Sequence, residues 1–197
     1  MISNVISIED VLESYGEDAT QALLSRFSCV RDGIQKNAEV EAFARNNAID
    51  FFKRKLAVTY LVFDDNQDFV GIYALAHKAI DIPADRLSSR MKSKVKRYAR
   101  LDETRNVYSV SSFLIAQLGK NYADEKGATI SGAELMDAAM DTLSEAQAIV
   151  SGGLIFLDCE TDNTVALRLY EAYGFVPFGE RVSESDSQRY IQLLKAF

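Results

Sequence analysis

Cysteine, proline and histidine are scarce in this chain of 197 residues: two cysteines, two prolines and one histidine. Cys29 and Cys159 lie far apart and form neither a Cys-x-x-Cys pair nor a cluster with the lone His77. Neither a disulfide framework nor a zinc site can be assembled from them, and two buried free thiols are the expected state. Pro83 and Pro177 stand alone, with no Gly/Ser-rich linker, repeat or low-complexity tract, so a single domain over 1–197 is expected. No run of about 18 apolar residues occurs, and no membrane-spanning helix is expected. The opening Met1-Ile-Ser-Asn-Val-Ile-Ser-Ile8 has no basic stretch and its first charges are Glu9 and Asp10, so it does not read as a secretory signal. A cytoplasmic location is the expectation.

What is present is the composition of a globular protein, 48% hydrophobic and 26% charged. That excludes a disordered chain, which lacks the apolar surface to offset ordering entropy. Acidic residues outnumber basic ones, 29 to 22, for a net charge of −7, which argues against a surface made mainly to coat nucleic acid or anionic lipid. The charge is unevenly spread. Between residues 86 and 105, Arg86, Arg90, Lys92, Lys94, Lys96, Arg97, Arg100 and Arg105 face only Asp102 and Glu103, a net +6 that leaves −13 for the rest. Such a run is either a solvated helix face or a patch that neutralises phosphates, with Tyr98 and Tyr108 nearby to stack on a base.

Ser7-Ile-Glu-Asp10 has the form of a capping box before a short helix, a second helical stretch runs from about Ala19 to Phe27, and Asn37 can cap a longer helix through Phe52. Ala57 to Phe63 and Phe69 to Ala76, joined by Asp64-Asp-Asn-Gln-Asp68, predict an antiparallel hairpin. Residues 84–105 read as basic and helical, and Val107 to Gln117 as a strand. A glycine-containing loop, Gly119 to Gly132, leads into a helix carrying Leu135, Ala139, Leu143 and Ala146 on one face. Gly153 to Cys159 is nearly all apolar, as in a strand covered on both faces. Asn163 to Tyr173 predicts a helix ended by Gly174, and 175–181 with 188–195 a closing hairpin around Ser183-Glu-Ser-Asp-Ser187. The order implies a mixed α/β sheet with helices on its faces and one crossover between 107 and 159, whose loop lies at the carboxyl end of a strand, the usual ligand position.

Two segments carry chemistry. Ser131-Gly-Ala-Glu134 fits a capping box that starts a helix, and an uncovered helix start attracts anions. The second, Asn163-Thr-Val-Ala-Leu-Arg-Leu-Tyr170-Glu-Ala-Tyr-Gly174-Phe175, comes after the apolar strand Leu154 to Cys159. This segment resembles the closing signature of the GNAT acyltransferase superfamily, and the strand–loop–helix before it is similar to that family's acetyl-CoA pyrophosphate motif. The likeness covers roughly residues 57–182 and includes the first hairpin. It departs from the family in the loop, where Ile130 stands in place of the first glycine and the usual Arg or Gln has no clean counterpart.

The resemblance implies a GNAT-like central mixed sheet with flanking helices, a helical N-terminal arm over 1–56 and an acyltransferase-like core over 57–197. It implies acetyl-CoA as cosubstrate, wedged between the strand ending at Leu118 and the strand starting near Leu154. Ala116, Leu118 and Gly119 would hold the pantetheine arm by their backbone. Lys126, Gly127, Ala128, Thr129, Ile130, Ser131, Gly132 and Ala133 would cradle the pyrophosphate, and Asn163 would bond the cofactor arm. Tyr170 would protonate the departing thiolate, its ordinary pKa near 10 keeping the proton on at neutral pH. The general base is not fixed: His77, Asp158 and Glu160 are candidates beside a water or none. Cys159, with acidic neighbours on an apolar strand, is unsuited to be a nucleophile. The function implied is N-acetylation of a primary amine on a small molecule or protein. The N-terminal layout is also similar to the branch of that family holding toxin–antitoxin acetyltransferase toxins, which makes aminoacyl-tRNA an alternative acceptor. A non-catalytic acyl-CoA-binding module is the remaining alternative, and a second copy of the chain is left open as a partner.

Overall fold

The computed structural model describes residues 1–183 and 187–197. Its elements run β1 (Ile2–Ser7), α1 (Ile8–Ser25), β2 (Val30–Arg31), β3 (Ile34–Gln35), α2 (Ala38–Asn46), α3 (Ala48–Lys53), β4 (Val58–Asp64), β5 (Phe69–Pro83), α4 (Ser89–Val95), β6 (Leu101–Asp102) and β7 (Val107–Lys120). Then come α5 (Gly132–Val150), β8 (Leu154–Glu160), α6 (Thr164–Ala172), β9 (Val176–Val182) and β10 (Arg189–Ala196). Short 3-10 turns occupy Ala84–Arg86 and Ala123–Thr129.

Local chemistry sets many of the boundaries. Ser7 accepts the Asp10 N–H at the start of α1 and gives its own hydroxyl hydrogen to the Asp10 carboxylate. Gly16 breaks that helix at φ 79°, ψ 173°, backbone that a residue with a Cβ adopts only under strain, so the two expected helical stretches lie on either side of it. Asn37 accepts the Val40 N–H at the start of α2, as expected.

The chain packs as two compact units, Met1–Ala76 with Ile115–Ser144 and His77–Leu114 with Glu145–Phe197. The long strands β5 and β7 contribute a part to each. In the first unit the strand order is β1-β4-β5-β7, with β1 antiparallel to β4 (Val5 opposite Val62) and β4 antiparallel to β5 (Leu61 opposite Ile72). Its core gathers Ile8, Leu24, Phe27, Leu61 and Ile72, all fully buried, with Val40, Phe43 and Ala44 of α2 packed on them. Each such side chain contributes about 1.5–3 kcal/mol relative to exposure.

In the second unit the order is β5-β7-β8-β10-β9, with β6 paired to β7. β7 and β8 run parallel, as the crossover reading requires, through Phe113 opposite Ile155 and Leu114 opposite Phe156. β8 is antiparallel to β10 along its whole length. Ile82, Val95, Leu154 and Leu194 are fully buried there beside Tyr108 and Phe156. The closing hairpin is present as β9 and β10, although 184–186 of its expected turn fall outside the described residues.

Several stretches differ from expectation, among them the helix expected from Asn37 through Phe52, which breaks at Asn47 into α2 and α3. Residues 2–7, placed in a helical arm, form strand β1, whose pairing partner β4 is distant in sequence and so leaves no local signal. β5 continues past Ala76 to Pro83, which fits at a strand end because proline has no N–H to give the ladder. Within 84–105 only Ser89–Val95 is α-helical. Ser88 caps that helix by accepting the Met91 N–H, and like charges one turn apart disfavour its extension.

Candidate active site

The residues singled out by sequence fall into two sets, one in each unit. The first set begins at the end of β7. Ala116 packs on the first unit's core. Leu118 is half-buried. Gly119 faces α2 so closely that a Cβ would lie 2.6 Å from the Val40 Cγ1, which explains this glycine by packing.

Beyond Gly119 the chain is organised by Asn121, a residue the sequence pattern does not single out. Its side chain is buried. Oδ1 accepts the N–H of Ser28 at 2.9 Å and of Ala123 at 3.1 Å, while Nδ2 donates to the Phe69 carbonyl at 2.8 Å. Its own N–H donates to the Val70 carbonyl. A buried amide with all these groups paired fixes a unique arrangement, whereas an unpaired one is costly. The only local signal for it is a short amide where an apolar strand gives way to a polar loop.

The 3-10 turn at Ala123–Thr129 folds back on Asn121. A Cβ on Gly127 would stand 2.2 Å from the Asn121 carbonyl oxygen, so this position admits glycine alone. Lys126 pairs with Asp68 at 2.6 Å, and Lys120 donates to the Ile130 carbonyl at 2.9 Å. Asp64 accepts the N–H groups of Asn66 and Asp68 and the Thr129 hydroxyl. Burial would raise the Asp64 carboxyl, but these hydrogen bonds outweigh it and hold the group below its ordinary value. Ile130 is buried under the turn, while Ala128, Thr129, Ser131 and Ala133 are exposed and Gly132 is half-buried.

α5 starts with the expected capping box. Ser131 Oγ accepts the Glu134 N–H, and the Glu134 carboxylate accepts the Ser131 N–H at 2.8 Å and its hydroxyl at 2.9 Å. The Ser131 N–H and then its hydroxyl hold the Glu134 carboxyl below its usual range. An anion at this helix start therefore meets a carboxylate already bonded there, and Lys126 is engaged elsewhere.

The second set lies on β8 and α6. β8 carries Asp158, which accepts from Arg181 Nε at 2.5 Å and from Gln192 at 3.3 Å. The Cys159 thiol is pushed up to about 12 by burial and then by Glu160 and Asp162, so it stays protonated and is not a nucleophile. Asn163 caps α6 by accepting the Ala166 N–H at 3.1 Å, which leaves its amide N–H groups uncommitted among the described residues.

Tyr170 is the one buried residue of α6, 8% exposed, with its ring edge-on to Phe175 at 6.1 Å. Its hydroxyl has no hydrogen-bond partner among the described residues. Burial raises its pKa well above the ordinary tyrosine value, and nearby Cys159 raises it further. The phenol therefore holds its proton across the neutral range and can only give it up to a strong base formed beside it. Gly174, at φ 82°, ends the helix as expected.

The base candidates differ. His77 is exposed, edge-on to Phe113 at 5.2 Å, with Nδ1 3.4 Å from the Ser111 hydroxyl. Asp158 is tied to Arg181. In the basic segment, Arg105 pairs with Asp81, while the other seven cations have no ion pair among the described residues. Tyr108 is 1% exposed and so closed to base stacking; Tyr98 is 45% exposed.

No protein-family model and no curated protein matches the chain. Among solved structures it is similar to AtaT complexed with acetyl-methionyl-tRNAfMet, at 19% identity and a TM-score of 0.57, over 88% of this chain and 86% of that one. It is also similar to AtaTR bound with AcCoA (17%, TM-score 0.54, 98% and 92%) and to a Tyr-to-Phe mutant of KacT (16%, TM-score 0.61, 98% and 94%). At these identities the likeness is one of fold. The mixed sheet with flanking helices is the GNAT-type architecture expected from the signature around Tyr170.

Replacing Asn121 with Leu strips partners from the Ser28 and Ala123 N–H groups and the Phe69 carbonyl, each worth about 1–3 kcal/mol when left unpaired. Urea unfolding is expected to show a loss of at least about 3 kcal/mol. A loss below about 1 kcal/mol would show that the loop does not hang on this amide.

Proposed function

We propose that this chain is an acetyl-CoA-dependent N-acetyltransferase acting on a primary amine by direct attack. The observation that carries this reading is Tyr170, a buried, proton-holding phenol without a hydrogen-bond partner among the described residues, set on the helix after the parallel strand of a GNAT-type fold. Structures of that fold similar to this one include one bound with AcCoA.

Each group has a task in the transfer. Backbone groups of Ala116, Leu118 and Gly119 hold the pantetheine arm and polarise the thioester carbonyl. The loop from Lys126 to Ala133 and the start of α5 meet the pyrophosphate, where the anion competes with Glu134 for the Ser131 N–H. The free amide hydrogens of Asn163 donate to the cofactor arm. The acceptor amine forms its C–N bond to the carbonyl carbon as the C–S bond breaks. Tyr170 gives its proton to the departing sulfur, and the amine loses its extra proton to a base or to water. The raised pKa keeps Tyr170 protonated until the sulfur leaves, and it also makes this phenol a weaker acid toward that thiolate than an ordinary tyrosine.

A second reading concerns the acceptor. The seven cations of the basic segment without ion pairs among the described residues, on a chain otherwise strongly acidic, support aminoacyl-tRNA as the amine carrier. AtaT, similar in fold, is known complexed with acetyl-methionyl-tRNAfMet.

Calorimetric titration with acetyl-CoA is expected to give a dissociation constant below about 1 mM. Tyr170→Phe should then lower turnover about 10²-fold while leaving that constant within about twofold. No binding would end the enzyme reading; binding with an unchanged rate would remove Tyr170 from the proton's path. Binding without turnover on any amine would leave a non-catalytic module. For the acceptor, tRNA affinity should fall with salt, and the combined Arg86→Gln, Arg97→Gln, Arg100→Gln variant should flatten that log–log slope by about 0.7–0.9 for each cation in contact. An identical slope would count against this surface.

A further inference from the structure

The second unit contains a cavity of about 380 Å³ whose lining includes none of the residues proposed to hold the cofactor or give the proton. Arg90 and Lys94 of α4 and Lys195 of β10 line it together with Met91, Val176 and Ala196, and no acidic residue is among its lining residues. Its volume lies within the range of small-ligand pockets, roughly 300–1,000 Å³.

The charges here are unusual for this chain. Arg90 and Lys94 are one helical turn apart, a spacing at which like charges repel. Lys195 adds a third cation, held by donating to the Tyr173 carbonyl at 2.5 Å and lying 5.9 Å from the Phe175 ring centre. Burial lowers the Lys195 ammonium pKa, and Lys94 lowers it further. The chain carries 29 acidic residues, yet none is paired with these three cations among the described residues. An assembly of like charges around a hollow is stabilised when an anion fills it.

We propose that this cavity is a binding site for a small phosphate monoester carried on an apolar or aromatic body. The three cations suit a dianion better than a carboxylate or a phosphodiester, each of which brings one negative charge. An arginine fork also matches two phosphate oxygens at once. The wall of Met91, Val176 and Ala196 has no use for inorganic phosphate alone and covers the body to which the phosphate is attached. The site shares Arg90 and Lys94 with the basic segment, but it needs neither acetyl-CoA nor an acceptor to be tested.

Calorimetry on the full chain at fixed ionic strength tests this with adenosine 5′-monophosphate as monoester probe. Cyclic adenosine monophosphate serves as the diester, and adenosine and inorganic phosphate as the two halves. The monoester is expected to bind at least about tenfold tighter than each of the other three. Lys94→Gln and Lys195→Gln should each weaken it at least about tenfold, and the exposed Lys78→Gln of the same unit less than about twofold. Unchanged unfolding midpoints verify that the variants fold. The proposal is overturned by the absence of saturable monoester binding. It is equally overturned if the diester, adenosine or inorganic phosphate binds as tightly, or if Lys78→Gln weakens binding as much as the pocket variants do.

Discussion

The first unit depends on one buried amide. Asn121 closes the end of β7 by bonding Ser28 from the N-terminal segment, Phe69 from the first hairpin and Ala123 from the loop. Because it is buried, each of those bonds lies where water cannot replace it. Its position sets the path of the loop up to α5. The turn must pass so near the Asn121 carbonyl that residue 127 can carry no side chain. The Lys126–Asp68 pair and the bond from Lys120 to the Ile130 carbonyl then fix where α5 begins. The placement of the Ser131–Glu134 box is thus the end of a chain of constraints that begins at Asn121.

Electrostatics divides the chain by task. Tyr170, proposed as the proton donor, is buried and keeps its proton. Where a thiol stands beside it, burial and acidic neighbours keep Cys159 protonated and unreactive. At the start of α5 the capping carboxylate of Glu134 occupies the Ser131 N–H, which would otherwise be left for phosphate. The missing glycine and missing Arg or Gln in this loop thereby gain a physical meaning. Ile130 is a buried hydrophobic plug under a 3-10 turn, and Lys126 is a strut to Asp68.

Features that depend on near neighbours were legible in the sequence. The caps at Ser7, Asn37 and Ser131, the hairpin at Asp64–Asp68, the apolar β8 and the helix end at Gly174 all involve partners within a few residues, and each lies where the pattern predicted. Features made by distant partners were not. β1 is defined by pairing with residues about sixty positions on, and Asn121 acquires its role from Ser28 and Phe69. The basic run shows the converse. Its charge pattern suggested one long helix, but about two turns suffice to bury Met91 and Val95, and the rest of the segment leaves the helix. The helix that carries Tyr170 was legible because the Asn163-to-Phe175 stretch combines a helix start, a buried face and a glycine helix end in thirteen consecutive residues.

The central proposal is that the chain binds acetyl-CoA, meeting it in the first unit with the strand end at Ala116–Gly119 and the capped start of α5. Hydrogen–deuterium exchange with and without saturating acetyl-CoA tests it most directly, because it reads backbone protection segment by segment. The account predicts slowed exchange over 116–119 and 131–135 on adding acetyl-CoA, with β1 and α4 unchanged. Unchanged exchange in both segments, or protection confined to the basic segment, would contradict it.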